Sequence, residues 1–240
     1  MRWMSETTVA DGVCQLPLAG GRWLATGFDG GYADADAAYN VSVPVGFDRT
    51  DLDAYVETRL NEAGFRKAGP KLLTGVDMAH ACGASHGSVT VVATAGISNP
   101  ASLPVGDDGH AREATGSDDT PLGTVNLLVG TTRALADGAL ATLLATAVEA
   151  KAATLQQLTG YSGTTTDAVA VGCDPTGTSA DFAGSATAVG RATRVCVRDA
   201  VRESLDARYP EGDYPDSVAD AEHGVLTTER ATLFDPKSGQ

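Results

Sequence analysis

Residues 123–171 read GTVNLLVGTTRALADGALATLLATAVEAKAATLQQLTGYSGTTTDAVAV. Apolar runs and turn residues divide this stretch into three elements. Gly123–Thr131 predicts a strand. The segment from Asp137 to Gly160 predicts a helix, with Asp137 as its cap and Gly160 as its stop. Asp167–Cys173 predicts a second strand. Each element carries a polar residue where an apolar one is expected: Asn126 in the first strand, Lys151 in the helix, and Asp167 at the head of the last strand behind Thr164, Thr165 and Thr166. Polar groups at the seams of buried elements are costly unless paired or used, so chemistry is sought here first.

Helix geometry sharpens this reading. At about 100° per residue, Leu140, Leu143, Leu144, Ala147, Leu155 and Leu158 share one face, with Lys151 near its middle. Glu149 falls on the opposite face with Thr142, Thr146 and Gln156. A spacing of two is wrong for a helix-surface ion pair, which needs three or four. Lys151 is therefore either a stem snorkelling to the rim or an amine held in a cleft to bind an anion or polarise a carbonyl. Taken alone, Glu149 is an ordinary solvated carboxylate unless a sheet covers both sides of the helix.

Downstream, Asp174-Pro175-Thr176-Gly177 reads as a turn. Ala186 to Arg208 reads as a helix stopped by Pro210, followed by a polar arm at 209–240 with edge-strand candidates at Gly224–Thr228 and Ala231–Phe234. Upstream, Val13–Leu18 and Arg22–Thr26 read as short strands broken at Gly20-Gly21. A Gly-rich loop leads to a strand at Tyr39–Val45. A helix begins after the capping-box pattern of Thr50 to Asp53 and stops at Gly64. Strand candidates follow at Lys71–Val76, His80–Ser85 and Ser88–Ala95, the last two joined by a tight turn at His86-Gly87. The acidic, Gly/Ser/Thr-rich segment 106–121 reads as a mobile loop. Strands cluster without regular helix alternation. The fold class is therefore α+β: one domain over residues 1–240, a mixed and largely antiparallel sheet packed with about three main helices.

Composition bounds the function. The 240 residues are 42% hydrophobic but only 5% aromatic, so the core is built mostly of Ala, Val and Leu. A net charge of −14 and a pI near 4.5 leave no basic patch for phosphates, which argues against a nucleic-acid partner. The acidity is spread along the chain, as in proteins adapted to high internal salt. Cys14, Cys82, Cys173 and Cys196 are far apart and lack zinc-site spacing, which fits reduced thiols in a cytoplasmic protein. The chain shows neither a run of 18 apolar residues nor a secretory signal pattern.

Further polar candidates lie upstream. Asp77 and His80 are three residues apart at a predicted strand end, where a carboxylate and an imidazole can hold a water as general base; the spacing by itself favours a turn-capping Asp with an unrelated His. Asn99 and Asn126 have side-chain amides suited to an oxyanion. Asp34 and Asp36 are possible cation ligands in an acidic loop.

GVDMAH, ATAGISNP, GTVNLLV, VEAKAATLQQL and TTTDAVAVG occur in this order, together with LATGFDGGYADADAAYN. In these motifs the chain resembles the adenosylcobinamide amidohydrolases, the CbiZ family, from about Trp23 to Arg208. The resemblance implies a corrinoid-salvage enzyme of cobalamin biosynthesis. Such an enzyme hydrolyses the amide joining the aminopropanol arm to the corrin ring and releases adenosylcobyric acid. Catalytic candidates are then Glu149, Lys151, Asp77 and Asp167, with Glu149 first among the bases. Substrate-binding candidates are Asn99, Asn126, His80, Thr124, Thr166 and Asn40. No cofactor and no protein-bound metal are expected, since the cobalt belongs to the corrinoid substrate. The expected partners are that small molecule and, optionally, further copies of the chain, without nucleic acid or membrane. Two alternatives stand beside this reading: a corrinoid-binding protein without catalysis, and an amidase that cuts itself at Gly123-Thr124 and uses Thr124 as nucleophile.

Overall fold

The structure is a computed structural model that describes residues 7–66, 68–104, 123–221 and 223–236. The acidic loop read at 106–121 lies outside the described residues. The strands and helices, in order, begin with β1 (Thr8–Ala10), β2 (Val13–Ala25), β3 (Gly31–Ser42), α1 (Leu52–Glu62), β4 (Lys71–Thr74), β5 (Cys82–His86), β6 (Val89–Ala95) and β7 (Pro100–Ser102). They continue with β8 (Val125–Ala134), α2 (Asp137–Thr159), β9 (Gly163–Thr164), β10 (Val169–Ser179), α3 (Ala188–Arg208) and β11 (Val225–Leu226).

One sheet runs in the order β4-β3-β2-β10-β8-β6-β5, with β1 paired to β2, and a small second sheet runs β11-β7-β9. Among the described residues the large sheet has two parallel pairs, β10/β8 and β3/β4, and its other pairs are antiparallel. The α+β class read from the sequence holds.

The central strands are buried along both faces, and their alternation shows why. Val89, Val91, Ala93, Val125, Leu127, Val129, Val169 and Val171 face α2 and α3 in one core. Val92, Leu128, Ala168 and Ala170 face the other way, into a second core with Cys14, Leu16, Leu18, Trp23, Ala38 and Leu72. That second layer is the same sheet curling over itself. The β2/β3 ladder shifts register between Pro17 and Gly21, and β3 and β4 meet β6 and β8 across the layer through Asn40, Leu73, Thr94 and Asn126. α1 closes the far side with Val56 and Leu60 against Val13, Ala37, Tyr39 and Val41.

This curl corrects the predicted break at Gly20-Gly21. The glycines bend one long strand instead of separating two. Gly31–Ser42 is likewise all strand, longer than the Tyr39–Val45 reading. The predicted turn at 174–177 forms locally, with the Asp174 carboxylate accepting from Thr176 N at 2.8 Å and from its hydroxyl at 2.7 Å. It lies inside β10, however, as an irregularity after which pairing with β8 resumes at Thr178. The predicted strand at His80–Ser85 begins instead with a 3₁₀ turn, Met78–His80.

The long helix forms and Gly160 stops it at φ 79°, a conformation that suits glycine, but Asp137 is its first residue and not its cap: Ala136 holds the cap position and the Asp137 carboxylate pairs with Arg22. By length and composition α2 would span a membrane, yet about half of its most apolar window is buried against the sheet and α3. Burial on two sides also buries Thr146, whose hydroxyl donates to Ala183 O at 3.1 Å, whereas Leu158 is exposed. The thiols of Cys14, Cys173 and Cys196 are buried and free. Burial pushes the Cys14 thiol up to about 12, which keeps it protonated and unreactive.

Candidate active site

The polar residues of the 123–171 stretch meet where β8 and β10 begin. Asp167 lies just before β10 with its side chain 11% exposed, beside Lys151 at 7%. Lys151 Nζ donates to Asp167 Oδ2. The same carboxylate accepts from Val125 N at 2.8 Å, Thr164 N at 3.1 Å and Thr164 Oγ1 at 2.5 Å. Four donors on one buried carboxylate offset its desolvation. Gly163 is required here by space, because a Cβ would sit 2.6 Å from Asp167 Oδ2 and 3.5 Å from Lys151 Nζ. The pair thus staples α2 to the 163–167 segment and to the first residue of β8.

That segment presents hydroxyls. Thr124 and Thr166 exchange a hydrogen bond between their Oγ1 atoms at 2.9 Å, and Thr166 Oγ1 donates to Gly123 O at 3.2 Å. Asn99, fully buried, directs its Nδ2 to Thr165 Oγ1 at 2.6 Å and toward Thr166 Oγ1 at 3.4 Å. Among the described residues its Oδ1 is buried without a partner.

Behind these groups, in the layer made by the curl, Asn126 and Asn40 are satisfied by one another. Asn126 Nδ2 donates to Asn40 Oδ1 at 2.9 Å and Leu73 O at 2.8 Å, and its Oδ1 accepts from Ala168 N at 3.0 Å. Asn40 Nδ2 donates to Thr94 Oγ1 at 2.8 Å. These amides tie β8 to β3 and β4 across the core.

Thr124 and Thr166 open into a cleft of about 600 Å³ under the curled layer. Its apolar wall includes Val43, Pro44, Phe47 and Leu73, and its polar groups include Thr74, Asp48 and His223. This size and mixture suit a small-molecule site. His223, Asp48 and Phe47 were not singled out in the sequence; they reach the cleft from segments far along the chain, and no local pattern marks them.

The remaining candidates lie elsewhere. Glu149 is exposed, on the side of α2 away from buried Lys151, and does not join the cluster. Two residues of helix turn the chain about 200°, and the sheet covers only the Lys151 side. Asp77 is exposed and caps the 3₁₀ turn through Ala79 N at 2.8 Å, the turn-capping role. His80 follows it in that turn, where its carbonyl accepts from Ser204 Oγ at 2.7 Å. Neither residue lines the cleft. Asp34 pairs with Arg22, and Asp36 accepts from Gly20 N at 2.7 Å, so both carboxylates have structural partners. Among the described residues no group of three or more Asp, Glu, His or Cys is placed to hold a metal ion.

A family model described as adenosylcobinamide amidohydrolase matches residues 7–213, a span that includes every residue of the Thr/Asn/Lys/Asp cluster. The chain belongs to this family. An adenosylcobinamide amidohydrolase of Halobacterium salinarum is 52% identical over 239 residues, covering 97% of this chain and 100% of that relative. A second, from Methanosarcina mazei, is 27% identical over 195 residues, covering 77% of this chain and 90% of its own length. Among solved structures, the PH0078 protein of Pyrococcus horikoshii OT3 aligns with a TM-score of 0.45 at 11% identity, over 83% of this chain and 78% of that one. The family's match ends at Asp213, shortly after α3, so His223 lies beyond it.

Proposed function

We infer that this protein is an amidohydrolase that cleaves the aminopropanol amide of adenosylcobinamide and releases adenosylcobyric acid for cobalamin biosynthesis. Family membership across residues 7–213 carries the reading. The cleft at Thr124 and Thr166 is its active site. Hydrolysis of an unactivated amide needs a nucleophile, donors for the tetrahedral oxyanion and a proton for the leaving amine. The hydroxyl of Thr166, oriented by Asn99, is a donor for the oxyanion. Lys151 and Asp167 are positioning residues that hold the 163–167 segment. His223 lines the same cleft beside these hydroxyls. The amide arm enters among the hydroxyls, while the macrocycle rests on the apolar rim of Val43, Pro44 and Phe47.

Incubation of the purified protein with adenosylcobinamide, followed by mass analysis of the corrinoid, tests this reading. Adenosylcobyric acid is the expected product, and recovery of unchanged substrate overturns it. Because Glu149 is exposed, Glu149→Gln should turn over within about twofold of the parent, as surface substitutions away from a site do. A loss of about 10²-fold or more would reinstate Glu149 as the base.

The setting is cytoplasmic and saline: reduced, buried thiols fit the first, and the dispersed acidity fits the second. Salt screens repulsion among surface carboxylates. The melting temperature should therefore rise from low to molar salt, and a constant value would remove the high-salt explanation.

A further inference from the structure

We propose that the Gly123–Thr124 peptide bond cleaves itself and that the mature enzyme uses Thr124, freed at a new N-terminus, as its nucleophile. The second half rests on the amide-hydrolysis reading; the first half does not.

Three observations converge on this bond. The first is a closed hydroxyl path. Thr124 Oγ1 lies 2.9 Å from Thr166 Oγ1, which donates to Gly123 O at 3.2 Å. When Thr124 donates to Thr166, the nucleophile's proton leads toward the carbonyl oxygen that its own attack charges negatively. One neighbouring hydroxyl both accepts from the attacker and polarises the target.

The second is the crowding around Gly123. A Cβ there would lie 2.4 Å from Ser98 N, 2.7 Å from Gly96 O and 2.8 Å from Asn99 Oδ1. Any other residue would displace the carbonyl from this frame. Glycine is needed for a close approach on which the path depends.

The third is the orphan acceptor. Among the described residues Asn99 Oδ1 has no hydrogen-bond partner, and the Asn99 residue is 0% exposed. A buried acceptor with no donor calls for an explanation. It lies beside Gly123, next to the bond whose scission releases a protonated α-amine, which is a donor.

The step balances. Thr124 Oγ adds to the Gly123 carbonyl carbon while its proton passes through Thr166. The bond from Gly123 C to Thr124 N then breaks, and the nitrogen keeps the electron pair and takes the proton. An ester between the Gly123 acyl group and Thr124 Oγ results. Water hydrolyses it to a Gly123 carboxylate, the restored hydroxyl and a free α-amine. One water is consumed, and no metal or oxidant is needed. An α-amine titrates near about 7.7–8.0, well below a lysine, so near neutral pH it can accept the Thr124 hydroxyl proton. In the mature enzyme it would pass that proton to the departing aminopropanol nitrogen.

The test is denaturing mass spectrometry and N-terminal sequencing of the purified full chain. The expected result is two polypeptides, one ending at Gly123 and one beginning at Thr124. Thr124→Ser should cleave, whereas Thr124→Val should remain a single 24.4 kDa chain, as calculated for the parent, and should lose amide hydrolysis. Circular dichroism of Thr124→Val separates a chemical defect from misfolding. Sequencing of the unsubstituted chain decides the matter even if the variant misfolds. An intact parent chain that hydrolyses adenosylcobinamide overturns self-cleavage and leaves the function standing. A cleaved chain that does not hydrolyse it upholds the cleavage and overturns both the function and the mature role of Thr124.

Discussion

Thr166→Val should lower turnover on adenosylcobinamide by about 10²–10³-fold, the usual effect of removing one oxyanion donor. The fold should survive, because the hydroxyl faces the cleft, Asn99 retains Thr165 and Asp167 retains all four donors, while Thr124 Oγ1 and Gly123 O lose their contact with Thr166. Thr166→Ser restores the hydroxyl and should recover most of the rate. Steady-state kinetics with circular dichroism makes the check. Valine at 166 with full turnover would remove this hydroxyl from the chemistry and leave the adjoining backbone N–H groups as the donors.

The second large effect falls on stability. Lys151→Met removes one partner of a buried ion pair, and breaking such a pair costs about 3–5 kcal/mol because the remaining charge is stranded. Asp167 would keep three donors but lose the opposite charge. A urea titration should show the midpoint falling with the slope unchanged. Adding Asp167→Asn removes the stranded charge and should regain part of the loss, so the double-mutant cycle isolates the pair. Turnover should fall as well, since the 163–167 segment carries Thr166. A loss below about 1 kcal/mol, the range of exposed pairs, would mean that water reaches Lys151 and that the staple is weak.

These two residues also show what the sequence could reveal. Lys151 stood out because an amine centred on an apolar helix face has no cheap resting place, and that logic is local. Asn126 and Asp167 stood out for the same reason, and all three lie at or behind the cluster. Periodicity alone makes Glu149 a solvated carboxylate, as the structure shows, and only the family-like motif sets it before Asp167. Asp77 is a catalytic candidate through the family-like motif GVDMAH, whereas its spacing alone points to the cap that the structure shows. The cleft itself was beyond local reading. It lies where the segment after β3 brings Phe47 and Asp48 beside Thr124, from parts of the chain far apart in sequence. A bulge within a long ladder looks like two strands when only the alternation is visible.

The order of strands in the large sheet has a consequence for the two halves of the chain. The pair β10 and β8, both after residue 123, is inserted between β2 on one side and β6 on the other, both before it. In the small sheet β7 likewise sits between β11 and β9. The two halves are therefore laced together, and neither owns a complete core. A polypeptide severed at this junction would persist as an obligate two-chain particle, inseparable without unfolding, and size under native conditions would not register the cut. Each half expressed alone would expose bare strand edges and aggregate, whereas the two produced together should assemble.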